Sequence, residues 1–347
     1  MYKVGVCGHI GIGKSLVNGQ TVKTKELIEE LRIILGEEEV CYVDTHNWKR
    51  NPLKLIFQSI LLMKKSENLI ILPAHNGVKI FVPLFSVMNK FYKKKIHYCV
   101  IGGWLPNLVE RNKWLITFLR LFNNIFVETN VMLNQLNVRG LTNVQVISNF
   151  KKLEFNDEIS IVENYSKPYK LCIFSRIMKE KGVEDAIDTV MRINSKYNNT
   201  IYTLDLYGPI ESSYKKEFEE LLKKLPETIK YRGVIEPSKS VEIISKYYLL
   251  LFPTRFKTEG IPGTIIDSYT AGVPVVASNW DSANEIIEDK KTGFIFPLGD
   301  LESFFSILDD LSKMSKQIAE MRYECIERAK KYSSNVVVKK ICDFMEK

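Results

Sequence analysis

No stretch of this 347-residue chain approaches the roughly 18 uninterrupted apolar residues that a bilayer span needs, which argues against a transmembrane helix. The opening run Met1-Tyr2-Lys3-Val4-Gly5-Val6-Cys7 lacks the zones of a signal peptide and reads as a buried strand. The expected location is the cytoplasm. Cysteine is sparse: Cys7, Cys41, Cys99, Cys172, Cys325 and Cys342 stand singly, with no C-x-x-C and no metal-ligand spacing. That pattern speaks against a disulfide framework or a zinc module and for buried reduced thiols. There is no low-complexity tract and no short repeat. Acidic residues are scarce in the first half only. Residues 1–150 carry 19 Lys and Arg against 10 Asp and Glu, and the remainder carries 30 against 31. A basic first half suggests an anionic partner on that side: membrane phospholipid, a lipid-linked phosphate or nucleic acid. No recognisable nucleic-acid-reading module is present, so nucleic acid is not expected.

What the chain does contain is an alternation of strands and helices, twice over. Apolar strand candidates fall at 2–7, 40–44, 69–72, 96–100, 125–128 and 144–147, with helical stretches such as 21–35 and 52–64 between them. A second set falls at 170–175, 200–207, 249–253, 275–277 and 294–296, with helices at 183–197 and 213–225. The polar stretch 149–167 before Pro168 reads as a linker. Repeated βα units imply parallel sheets covered by helices on both faces. The expected fold class is α/β, with two Rossmann-like domains facing a central cleft and ligands beyond the carboxyl ends of the strands. The expected boundaries are 1–165 and 166–332, with a final helix, 333–347, packing back on the first domain.

The strongest motif follows the strand at 249–253. A loop holds Glu259, Gly260, Ile261, Pro262, Gly263 and Thr264, and a helix then runs to Gly272 with Asp267 in its early turns. Bare amides at a helix start bind anions, and glycine lets a ligand approach the backbone. Glu259 can accept hydrogen bonds from sugar hydroxyls, and Asp267, eight residues on, from a second ring. A second motif, Ser175-Arg176-Ile177-Met178-Lys179-Glu180-Lys181-Gly182, follows the strand at 170–175 and opens the next helix. Arg offers a fork for two phosphate oxygens and Lys a point charge.

Together these runs resemble the E-x7-E and G-R-x-x-x-x-K-G segments of the family 4 glycosyltransferases of GT-B fold, with Asp267 standing for the usual second Glu. The resemblance covers nearly the whole chain and is most specific between Ser175 and Ala277. It implies that Glu259 contacts the transferred sugar, that the amides of Gly260 to Thr264 meet sugar and diphosphate, and that Asp267 holds the ribose. Arg176 and Lys181 would neutralise the leaving diphosphate. The donor implied is a nucleotide-sugar, a UDP-sugar foremost. The acceptor implied is a saccharide or polyprenyl-linked saccharide held by the first domain, in surface polysaccharide assembly with retention at the anomeric carbon. No D-x-D sequence occurs, so neither a metal nor another cofactor is expected.

The first half offers three further candidate sites. Asn18-Gly19-Gln20-Thr21 is read as the counterpart of the family's Gly-Gly loop on the donor phosphates. Pro73-Ala74-His75-Asn76-Gly77 and Ile101-Gly102-Gly103-Trp104 follow buried strands, so His75, Gly103 and Trp104 are acceptor-site candidates, His75 with a catalytic role. Glu128, ending its strand, is expected on the same side. Glu285 lies in a turn resembling the family's and is expected to be structural.

Gly8-His9-Ile10-Gly11-Ile12-Gly13-Lys14-Ser15 also matches the Walker A pattern, with Asp44 as the candidate magnesium ligand. The early Gly19 and the second Rossmann unit with its own anion loop argue against a P-loop nucleotidase. A GT-B epimerase or phosphorylase is the other alternative. The stretches 48–65 and 91–95 mix lysines with aromatic and aliphatic residues. They read either as an ordinary core-facing helix with solvated lysines or as a dock for an anionic membrane at the inner face of the plasma membrane.

Overall fold

The structure is a computed structural model that describes residues 1–13, 19–153 and 165–346. It divides into two compact units, residues 1–152 with 332–347 and residues 153–331.

In the first unit the strands are β1 (Tyr2–Gly8), β2 (Val40–Asp44), β3 (Ser66–Leu72), β4 (Lys95–Cys99), β5 (Asn124–Val127) and β6 (Val144–Val146). The helices are α1 (Gly19–Leu35), α2 (Pro52–Lys65), α3 (His75–Tyr92), α4 (Leu105–Arg111), α5 (Trp114–Leu119) and α6 (Asn130–Val138). In the second unit the strands are β7 (Tyr169–Phe174), β8 (Tyr202–Tyr207), β9 (Ile229–Gly233), β10 (Leu249–Phe252), β11 (Val275–Ser278) and β12 (Gly293–Phe296). Its helices are α7 (Val183–Tyr197), α8 (Lys215–Leu222), α9 (Ser240–Ile244), α10 (Gly263–Thr270), α11 (Ala283–Ile286), α12 (Leu301–Leu311) and α13 (Ser315–Ala329). A last helix, α14 (Ser334–Glu346), belongs to the first unit.

Both sheets are six-stranded and parallel, ordered β2-β1-β3-β4-β5-β6 and β12-β11-β10-β7-β8-β9. Central strands such as Leu249–Phe252 are apolar on both faces because helices cover both sides. In the first unit, one core joins α2 to α5 with one sheet face, through Leu55, Phe81, Leu108 and Leu115. The opposite face packs Leu27, Ile28 and Leu31 of α1 with Val337, Val338 and Ile341 of α14. Ser334 Oγ donates to Glu30 Oε2 at 2.7 Å between those helices, and Lys95 Nζ donates to the main-chain carbonyl of Met345 in the last turn of α14 at 3.0 Å.

Local chemistry sets the helix ends. Asn51 Oδ1 accepts from Lys54 N before α2, Thr129 Oγ1 from Met132 N before α6, and Asp300 Oδ1 from Ser303 N before α12. In the second unit Arg322 is a buried cation whose Nη2 donates to the carbonyls of Ala271 and Ser245, just past α10 and α9, at 3.1 and 3.2 Å. It meets the negative ends of two helices.

The strand β9 was absent from the sequence expectation. Its run Ile-Lys-Tyr-Arg-Gly carries two exposed cations and pairs only with β8 at the sheet edge, where charge is tolerated and the apolar signal is weak. Among the described residues no helix is long and apolar enough to cross a membrane.

Candidate functional site

In an open parallel sheet the ligand crevice lies where the strand order reverses. In the second unit that point is between β7 and β10, which are neighbours although they are far apart in sequence. The loops leaving these two strands are the two motifs read from the sequence.

Their backbones touch. Gly182 has φ 68°, and a Cβ there would stand 1.9 Å from the carbonyl oxygen of Pro253. Gly208, with φ 133°, makes the same close approach to the Ser175 carbonyl, 1.8 Å from a hypothetical Cβ. Only glycine fits either place. The amide of Arg255 donates to Glu180 O at 2.8 Å and clamps the loops together. The Arg255 guanidinium grips Asp185 in the first turn of α7 through Nε at 2.9 Å and Nη2 at 2.5 Å. That carboxylate's hydrogen bond holds the guanidinium pKa above its ordinary value. Sequence reading did not single out Arg255 or Asp185, because neither sits at a motif position.

At the centre, Lys181 Nζ forms an ion pair with Glu259 Oε1, and both side chains are largely shielded. Thr254 Oγ1 donates to the same carboxylate oxygen at 3.0 Å. The Phe252 and Phe256 rings have their centroids 5.3 and 5.2 Å from the ammonium. Gly260 and Ile261 are buried, and Pro262, extended, precedes α10. Among the described residues no side chain caps that helix, so its start at Gly263 and Thr264 presents positive dipole. The Thr264 hydroxyl is buried and has no hydrogen-bond partner among the described residues.

Arg176 does not join this pair. Its side chain is exposed, and its Nη1 donates to Glu211 Oε2 at 2.9 Å, in the loop after β8. Asp267 is buried, and its Oδ2 accepts from Ser240 Oγ at 2.9 Å. The residue read as a ribose ligand therefore also ties α9 to α10. Glu285 lies in α11, where its carbonyl accepts from Arg328 Nη2 at 2.7 Å.

In the first unit the order reverses between β1 and β3. His75 is the first residue of α3, immediately beyond β3, and is exposed. It meets Trp104 edge to face with ring centroids 5.2 Å apart, so two of the acceptor candidates stand together. Trp104 Nε1 donates to Ile101 O at 2.7 Å, and Gly103 between them is buried. Glu128 does not line an open surface as expected. It is 3% exposed and pairs with Lys23 of α1 at 2.8 Å, and its Oε1 accepts from the Gly102 amide at 3.2 Å. A carboxylate at the end of an interior strand needs a counter-charge, and a lysine one helix away supplies it. Burial alone would depress the Lys23 ammonium, but Glu128 outweighs that and holds its pKa above the ordinary value.

The described part of the Walker-like loop, residues 8–13, is organised differently from a phosphate cradle. The amides of Ile10 and Ile12 donate to the two oxygens of Asp44 at 2.9 and 3.1 Å, and the His46 amide donates at 2.8 Å. Burial would raise the Asp44 pKa, but these amides and that of Gly11 hold it below the ordinary value. A P-loop presents such amides to phosphate and leaves its acidic partner for magnesium; here the two satisfy each other. Lys14, Ser15 and Asn18 lie outside the described residues, and Gly19 opens α1. Next to this loop His9 Nδ1 bonds Thr21 Oγ1 at 2.8 Å and His9 Nε2 bonds His46 Nδ1 at 3.0 Å. Among the described residues no group of three or more His, Cys, Asp or Glu side chains is arranged to hold a metal ion.

The family described as "Glycosyl transferases group 1" matches residues 168–313. The second unit is a group 1 glycosyltransferase domain. Among curated proteins, the chain is similar to the amylovoran biosynthesis glycosyltransferase AmsK of Erwinia amylovora, 22% identical over 60% of this chain and 49% of that one. It is also similar to the capsular polysaccharide biosynthesis glycosyltransferase CapM of Staphylococcus aureus, 23% identical over 75% and 72%. The chain thus spans about half the length of the first of these relatives. Among solved structures, Anabaena HepE in complex with UDP and glucose matches over 100% of both chains with a TM-score of 0.77 and 13% identity. The lipopolysaccharide outer core galactosyltransferase WaaB matches over 99% of both with a TM-score of 0.70 and 14% identity. The fold is therefore GT-B, with the group 1 domain as its second half.

Proposed function

We propose that this chain is a nucleotide-sugar-dependent glycosyltransferase that moves a sugar, with retention, to a saccharide or polyprenyl-linked saccharide in surface polysaccharide assembly. The observation that carries the reading is the Lys181–Glu259 pair at the β7/β10 switch point, beside the uncapped start of α10. A nucleoside diphosphate leaves with growing negative charge, and fixed cations and helix amides stabilise it where water is excluded. Lys181 and the amides of Gly263 and Thr264 meet that charge. Arg176 reaches it by leaving Glu211, and no metal is required. Glu259, held by Lys181 and Thr254, accepts from the hydroxyls of the transferred sugar. Asp267 retains acceptor capacity for ribose hydroxyls beside its bond to Ser240.

A UDP-sugar is the proposed donor, supported by the fold shared with HepE, which has been solved with UDP and with UDP-glucose. Names of the curated relatives support the polysaccharide setting. His75 and Trp104 are the proposed acceptor contacts. The basic first unit is proposed to work against an anionic membrane surface from the cytoplasmic side. Incubation with a panel of UDP- and GDP-sugars and polyprenyl-linked saccharides, followed by NMR of the product, tests this. A new axial or equatorial linkage matching the donor's configuration is expected. An inverted linkage overturns retention, and no acceptor-dependent nucleotide release overturns the transferase.

A further inference from the structure

Helices α2, α3 and α5 lie side by side on one face of the first sheet, their inner residues in one core. Their outer faces hold large apolar side chains in water. Leu53 and Phe57 of α2 are 77% and 62% exposed, Phe91 of α3 is 81% exposed, and Ile80, Val87 and Trp114 are exposed too. The same layer carries cations of one sign. Residues 48–65, 75–95 and 111–123 hold thirteen lysines and arginines and no aspartate or glutamate. None of the thirteen forms an ion pair among the described residues. Folding gains nothing from leaving apolar rings in water, and carboxylates spread through the rest of the chain are missing here. The two features have one common solution: a surface that is apolar beneath and negative above.

We infer that the α2–α3–α5 face is the membrane-docking surface, with Leu53, Phe57, Phe91 and Trp114 entering the headgroup boundary of an anionic bilayer and the surrounding lysines meeting lipid phosphates. This deepens the membrane partnership proposed above. It does not depend on the chemistry of the second unit. Aromatic and aliphatic anchors ringed by Lys and Arg suit that interface, and each basic residue near an anionic surface adds to the attraction. A nucleic acid would use the cations but leave the apolar side chains in water.

The test is co-sedimentation of the full chain with phosphatidylcholine vesicles, with and without about 30% phosphatidylglycerol, a fraction chosen to give an appreciably negative surface. Nucleotide-induced thermal stabilisation of the same samples reports separately on the second unit. Binding to the anionic vesicles alone is expected. Phe57→Ser with Phe91→Ser, and Lys54→Glu with Lys90→Glu, should each lower it about tenfold or more and leave nucleotide stabilisation unchanged. These side chains are exposed, so the folded state has no need of them. Equal binding to both vesicle types, no binding, or binding untouched by both variants overturns the assignment. A dimer lost in the Phe variant, with vesicles unbound, gives the face to a second copy and also overturns it.

Discussion

Lys181 and Glu259 are 78 residues apart in the chain and form one ion pair, with Thr254 on the same carboxylate oxygen. The pair joins the two motif loops at their closest approach, where Gly182 lies against the Pro253 carbonyl. Each partner fixes the other's position, so the two act as a unit rather than as separate ligands.

Lys181→Met and Glu259→Gln should therefore each lower kcat/KM about a hundred-fold or more, and the double variant should lose far less than the product of the two. Arg176→Ala should cost less than Lys181→Met, because Arg176 starts out on Glu211 in an exposed loop. Steady-state kinetics on the four variants checks both statements.

Asp185→Asn breaks the grip on Arg255 without touching Lys181 or Glu259. The loop after β10 should be held less well, raising KM for the donor while the fold persists with a loss of about 1–2 kcal/mol. Parallel urea unfolding and donor titration read the two effects separately.

Most of the architecture was legible in the sequence because interior parallel strands read as apolar runs. The runs at 249–253 and 275–277 lie on β10 and β11. The edge strand β9 was not legible, since Lys230 and Arg232 hide its pattern. The motif positions identified Lys181 and Glu259, but spacing could not say that they pair. Nor could it say that Arg176 turns to Glu211, that Asp267 binds Ser240 or that Glu128 is buried. Each of those depends on which loops meet above the sheet, and no local pattern encodes that.

Lys23→Met leaves the Glu128 carboxylate buried without its counter-charge and should cost about 3–5 kcal/mol. Lys23→Met combined with Glu128→Gln removes the stranded charge and should recover a large part of that. Denaturant unfolding of the three proteins gives the comparison. A Lys23→Met cost of only a few tenths would mean that the carboxylate is solvated.

His97 is buried between β3 and β5, stacked on Phe126 and bonded to Asn68 and Asn124. Burial, with a smaller push from Lys95, lowers its pKa from 6.5 to about 4. The unfolded chain takes up the proton first. Stability should thus be intact above pH 6.5 and fall as the pH drops towards 4, by about 3 kcal/mol in all. His97→Gln should start less stable and lose most of this slope. Unfolding midpoints between pH 7.5 and 4 provide the measurement.

The central claim is that the anion site lies at the β7/β10 switch point and not in the Walker-like loop of the first unit. Thermal stabilisation by UDP, GDP, ADP, ATP and GTP, with and without magnesium, on the wild type, Lys181→Ala and Lys14→Ala tests it most directly. The account predicts stabilisation by UDP or GDP without magnesium, lost in Lys181→Ala and kept in Lys14→Ala. Stabilisation by a triphosphate with magnesium alone, lost in Lys14→Ala and kept in Lys181→Ala, would contradict it.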